Sequence, residues 1–101
     1  MPFIKVARLS EVPLDSVIEV SVGETLYAIC NVQGQITALS GVCLHQGGRL
    51  GQGNVADGSV VCPWHWWEFD CRTGENAFDP EQRVPTYPVQ VRGNDILVQV
   101  P

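Results

Sequence analysis

Positive charge is scarce in this chain: six Lys and Arg stand against eleven Asp and Glu, for a formal net charge of −5. Without a Lys/Arg cluster to displace counterions from phosphates, nucleic acid is set aside as a partner. The acidic balance has two readings, plain solubility or steering toward a basic face on a partner protein. Long apolar runs are missing as well. No stretch approaches the ~20 residues of a membrane-spanning helix. Met1-Pro2-Phe3-Ile4-Lys5 also lacks the charged start and long apolar core of a signal peptide. The expectation is a cytoplasmic protein with no membrane segment, in a compartment that keeps thiols reduced. No window carries a convincing 3.6-residue apolar period, which argues against helices. No Gly-x-Gly-x-x-Gly follows a strand-like run, so nothing is built to hold flavin or nicotinamide. Histidine is limited to two residues, His45 and His65.

What remains is a chain of 101 residues, the size of one domain, with 45% apolar and only 17% charged residues. That balance supports a buried core rather than disorder. Strand-like alternation opens the chain over Phe3 to Arg8 and returns at Val17 to Val22. Thr25 to Val32 is rich in β-branched, aromatic and apolar residues, and Gln33-Gly34 reverses it into Gln35 to Leu39 as a hairpin. At the far end Tyr87, Val89 and Val91 alternate with polar residues, Gly93-Asn94-Asp95 turns, and Ile96, Val98 and Val100 alternate back. Short strands at regular spacing predict an all-β sandwich or small barrel.

Between these ends the pattern changes. Glycines crowd the run from Gly41 to Gly58, which has no strand or helix period. Cysteine and histidine inside it, with strands on both sides, count against a flexible linker. Trp66 to Asp70 alternates again, with Trp67 and Phe69 on one face; Cys71 to Glu75 is a turn, and Asn76 to Thr86, with Pro80 and Pro85, is a loop.

The chemistry lies in Cys43-Leu44-His45 and Cys62-Pro63-Trp64-His65. A thiolate and a neutral imidazole suit zinc or iron–sulfur rather than calcium or magnesium. Zinc fingers usually supply paired ligands of one type in each knuckle. Here each half supplies one Cys and one His, as two irons held side by side between two loops would require. A structural zinc module is the alternative, and colour separates the two: red-brown for iron–sulfur, colourless for zinc. Cys30, in a strand, and Cys71, in phase with Trp67 and Phe69, read as buried apolar residues, with a reactive Cys71 thiol the lesser reading. Arg49 and Arg72 read as solvated loop charges. Trp64 and Trp66 would either shield the site from water or anchor a partner.

These motifs resemble the Rieske family, whose pattern is Cys-x-His and then Cys-x-x-His, with two Cys on one iron and two His on the other. Gly47, Asp57-Gly58, Pro63, Phe69-Asp70, Thr73-Gly74 and Tyr87-Pro88-Val89 extend the likeness over most of the chain. The resemblance implies a Rieske-type β sandwich or small barrel base, about 1–39 and 81–101, and a smaller two-loop cluster-binding subdomain, about 40–80, within a single domain 1–101. It implies one 2Fe-2S cluster, with Cys43 and Cys62 on the buried iron and His45 and His65 on the outer one.

Two departures bear on function. High-potential members join an extra Cys from each loop in a disulfide; the matching residues here are Gly48 and Trp64. They also place Ser and Tyr hydroxyls against the cluster, where this chain has Trp67 and Phe69. Hydrogen bonds to the sulfurs stabilise the reduced state, so their absence predicts the low end of the Rieske range, roughly −150 to −50 mV. Trp66, where most relatives carry Gly, would be strained if that backbone takes a positive φ.

A non-haem iron oxygenase needs two further histidines and a carboxylate, and both histidines are committed. The chain is therefore expected to be no enzyme itself but a ferredoxin, a one-electron carrier. By the resemblance it would work, as a monomer, between a flavin-dependent reductase and a terminal oxygenase, an aromatic-ring-hydroxylating dioxygenase. The alternative is the small subunit of an assimilatory nitrite reductase.

Overall fold

The computed structural model describes residues 2–43, 48–63 and 66–100. Its centre is β3 (Thr25–Val32), in which every side chain from Tyr27 to Val32 is buried. A strand covered on both faces reads as a continuous apolar run rather than an alternation, and this one divides two cores. Ala28, Cys30 and Val32 join Leu39, Leu50, Val60 and Phe69 on one side. Tyr27 and Ile29 join Val12, Ala38, Ile96 and Val98 on the other.

Three antiparallel sheets, containing 10 strands among the described residues, build these cores. The middle sheet runs β2 (Ser16–Val22), β3, β4 (Gln35–Ser40), β8 (Thr86–Tyr87). Against one face lies β1 (Phe3–Arg8), β10 (Asp95–Gln99), β9 (Val89–Arg92). The third sheet is β5 (Asn54–Ala56), β6 (Ser59–Val61), β7 (Glu68–Asp70). The all-β expectation holds, and the β3–β4 hairpin closes at Gln33-Gly34 with Val32 opposite Gln35.

The C-terminal hairpin differs in one respect. Tyr87 and Val89 do not share a strand. Pro88 has no N–H to donate to a ladder, and the chain changes sheets there: Tyr87 pairs with Ala38 of β4, whereas Val89 pairs with Val98 of β10. The Gly-rich stretch, read as lacking strand period, contains β5, a strand of three residues held by β6 rather than by any alternation of its own. Both polar side-chain atoms of buried Asn31 are bonded: its Nδ2 donates to Val12 O at 2.8 Å and its Oδ1 accepts from Gly34 N at 2.9 Å.

Candidate metal centre

Cys43 lies just beyond β4 and Cys62 just beyond β6, and both belong to the core on the β5–β6–β7 side of β3. Their motifs differ in spacing, yet their backbones close in the same way. The Cys43 amide donates to Gly48 O at 2.6 Å, and the Cys62 amide donates to Trp67 O at 2.7 Å. Each cysteine thus opens a six-residue span closed by a bond to the carbonyl five residues on. His45 falls within the first span and His65 within the second. Those two histidines, and Trp64, lie outside the described residues; among the described residues no three His, Cys, Asp or Glu side chains come together.

The cysteines themselves fit a metal. Cys43 is 2% exposed and Cys62 fully buried, among Leu50, Val60 and Phe69. No cysteine of the chain is in a disulfide. A thiolate in such apolar surroundings is costly unless a cation neutralises it, and a soft, multiply charged metal group does that. Trp67 and Phe69 follow the second loop with rings 6.3 Å apart, and both pack in the core that contains Cys43 and Cys62.

The first loop is fixed to the middle sheet. Gly41 N donates to Leu26 O at 2.9 Å, Leu50 N returns to Gly41 O at 3.0 Å, and Val42 bridges to Arg49. Arg49 is exposed, as its loop position suggests, but it is also paired across the fold. Its Nε and Nη2 donate to the two carboxylate oxygens of Glu19 on β2, at 2.8 and 2.7 Å, and Gln52 adds a third bond at 3.3 Å. The Arg49 hydrogen bond holds the Glu19 carboxyl below its usual range, against a smaller opposing effect of burial. A two-pronged guanidinium–carboxylate pair fixes orientation as well as distance. Sequence reading missed this tether because its partners lie 30 residues apart.

The two loops also meet. A Cβ on Gly53 would overlap the carbonyl oxygen of Val61, immediately before Cys62. Only glycine lets the end of the first loop pass so close to the strand feeding the second. Trp66 closes the picture: its φ is +63° and it is 72% exposed. The expected left-handed backbone is present, and β7 begins only at Glu68 rather than at Trp66.

Comparison with known proteins agrees with this geometry. The family model of the Rieske [2Fe-2S] domain matches residues 2–88. The chain is 35% identical over 100 residues to the biphenyl dioxygenase ferredoxin subunit of Pseudomonas sp. (strain KKS102), covering 97% of this chain and 92% of that protein. Among solved structures it is similar to the ferredoxin of carbazole 1,9a-dioxygenase from Nocardioides aromaticivorans IC177, with a TM-score of 0.87, 27% identity and 97% of each chain covered. A complex of reduced oxygenase and oxidised ferredoxin in carbazole 1,9a-dioxygenase also matches, with a TM-score of 0.85, 26% identity, and 95% of this chain and 91% of that one covered.

Proposed function

Because this chain belongs to the Rieske [2Fe-2S] domain family, we propose that it is the ferredoxin of a multicomponent oxygenase system, carrying single electrons to a terminal aromatic-ring-hydroxylating dioxygenase. It is an electron-transfer component, not the oxygenase. The observation that carries the ligand assignment is the pair of matched loops, each opened by a buried cysteine and each containing one histidine in its sequence. In this reading Cys43 and Cys62 hold one iron and His45 and His65 the other. The bound cluster supplies a reversible one-electron step. The protein's own contribution is positional: Arg49 and Glu19 orient the first loop, Gly53 permits its approach to the second, and Trp67 with Phe69 excludes water.

The reading extends to organisation and partners. The 101 residues form a single domain, with a cluster-binding part over about 40–80 and a base over the rest, a division supported by the local pairing of β5, β6 and β7. A flavin-dependent reductase upstream and the oxygenase downstream are met in brief encounters guided by the net negative charge, which suits a monomer. A reducing cytoplasm suits thiolate ligands, and no helix among the described residues is long and apolar enough to cross a membrane. The relative named as a biphenyl dioxygenase ferredoxin subunit favours a dioxygenase over a nitrite reductase as partner.

Rapid mixing of the reduced holoprotein with resting biphenyl-type dioxygenase and its aromatic substrate tests the proposal. Re-oxidation of the holoprotein coupled to dihydroxylated product is the expected result. Electron delivery to a nitrite reductase but to no ring-hydroxylating enzyme overturns it.

A further inference from the structure

Five large apolar side chains are exposed among the described residues, and the two most exposed, Phe78 at 78% and Trp66 at 72%, belong to one corner of the fold. A single exposed apolar residue is ordinary on a protein surface. These two are brought together by the backbone. Phe69 bridges Asn76 in the antiparallel sense, and Ala77 N donates to Glu68 O at 2.9 Å. The chain from Asn76 onward therefore runs back along β7 and leads Phe78 toward the end at which Trp66 stands. Along that path the α-carbons of Trp66 and Phe78 are at most about 17 Å apart. Exposed Ala77 and half-buried Trp67 lie between them.

Neither ring hangs on a loose segment. Trp66 takes a φ of +63°, a conformation that a bulky L residue adopts only at a cost, and gains no burial by it. Phe78 is held from behind by Asn76, itself 4% exposed, whose Oδ1 accepts from Phe78 N at 2.8 Å and from Asp79 N at 3.1 Å. Asn76 N donates in turn to Gln82 O at 2.9 Å and closes the loop. Strained or pinned backbone that presents aromatic surface to solvent is a mark of function rather than of folding. Rings fixed in this way lose little freedom on binding, which is what an interface anchor needs. Trp66 directly follows His65 in the chain, so the pair borders the second cluster loop.

The charges beside the rings select the occupant. Glu68 opens β7, and Asp79 and Glu81 follow Phe78 on exposed chain; among the described residues none of the three is in an ion pair. Arg83, the cation of this loop, faces Glu75 instead, at 3.8 Å. A second copy of the chain would bring like charges together here, whereas a surface edged by Lys and Arg would be drawn in. Two aromatic rings bury on the order of 300 Å², the anchor of a small, brief interface rather than of a permanent one.

We propose that Trp66 and Phe78 form a two-ring grip that seats in an apolar recess, edged by Lys and Arg, on the terminal oxygenase. The inference rests on the reading of this chain as that enzyme's electron donor, and adds which residues hold the two together.

The test mixes pre-reduced holoprotein anaerobically with the oxidised terminal component of a biphenyl-type dioxygenase and follows transfer at rising holoprotein concentration. Wild type is compared with Phe78→Ser, Phe78→Tyr and Trp66→Asn, the last because Asn accepts the left-handed backbone. Phe78→Ser and Trp66→Asn are each expected to raise the half-saturating concentration about tenfold, with limiting rate, visible spectrum and reduction potential unchanged. Phe78→Tyr keeps the ring and stays close to wild type. Paired Asp79→Asn and Glu81→Gln substitutions flatten the salt dependence of transfer. An unchanged half-saturating concentration in Phe78→Ser, beside normal wild-type transfer, overturns the grip alone. So does a loss that follows a shift in potential or spectrum, or a salt dependence untouched by the paired substitutions. A wild-type dimer in sedimentation that Phe78→Ser dissolves makes the occupant a second copy and overturns the proposal too. Wild type failing to reduce the oxygenase at all overturns the grip together with the reading beneath it.

Discussion

The two cluster loops present their cysteines alike but are supported differently. The first, from Gly41 to Gly53, leans on the middle sheet through backbone bonds to Leu26 and a two-pronged ion pair with Glu19. The second belongs to the β6–β7 hairpin, whose strands pair Val61 with Glu68, and it contains a left-handed tryptophan. One loop is held by distant residues and the other by its immediate neighbours. The same six-residue closure has thus been reached from two scaffolds, and a cluster held by both loops, as proposed, would tie the base to the hairpin.

The largest break in this comparison removes a ligand from either side. Cys62→Ser and His45→Ala are each expected to abolish the visible absorption of the cluster, because two irons cannot be held by one loop. Retention of a His-ligated spectrum in the His45 variant would refute that assignment.

Next in size is Gly53→Ala, which attacks the point where the loops meet. The added methyl would overlap Val61 O, so backbone must move, at a cost of about 3 kcal/mol for overpacking of this kind. Urea unfolding of the holoprotein reads it out, and an unchanged midpoint would show that the contact is not constraining.

Trp66→Gly acts on the second loop alone and in the opposite direction. Relief of the left-handed conformation outweighs the extra freedom of glycine in the unfolded chain, giving a gain of roughly 0.5–1 kcal/mol. The same unfolding assay checks it. If Trp66 also anchors a partner, transfer to the oxygenase slows while stability rises, a separation of effects that a purely local strain would not give.

The smallest effect concerns the tether of the first loop. The Glu19 carboxyl is held below its ordinary value of 4.5 by the Arg49 hydrogen bond. A depressed carboxyl contributes stability above its unfolded pKa, and that contribution is lost as pH falls through the lower folded value. Below pH 4.5 wild type and Glu19→Gln should therefore converge in stability, whereas at neutral pH wild type is the more stable. High salt shrinks the gap, since the Arg49 side chain is 49% exposed. A gap that persists unchanged at low pH would mean that charge is not what holds the loop.

How far the sequence discloses each region follows from the same contrast. The base is legible where burial is one-sided or complete: Ile96 and Val98 alternate into the core, and the β3 run from Tyr27 to Val32 is apolar because both of its faces are covered. The two mixed Cys/His motifs stand out by their spacing, and the structure brings Cys43 and Cys62 into one core. What escapes is everything fixed by tertiary contact. β5 is too short, at three residues, for its alternation to register as a strand. The split at Pro88 separates residues that alternate perfectly well in sequence. Glu19 and Arg49 carry no local mark of each other. The common closure of the loops was hidden because His45 and His65 sit at different offsets from their cysteines.

Direct voltammetry of the purified protein tests the central claim, that two matched loops hold a hydroxyl-poor, histidine-ligated two-iron cluster. The account predicts a single one-electron wave at the low end of the Rieske range, roughly −150 to −50 mV. No wave at all, as zinc would give, or a potential above about +100 mV would contradict it.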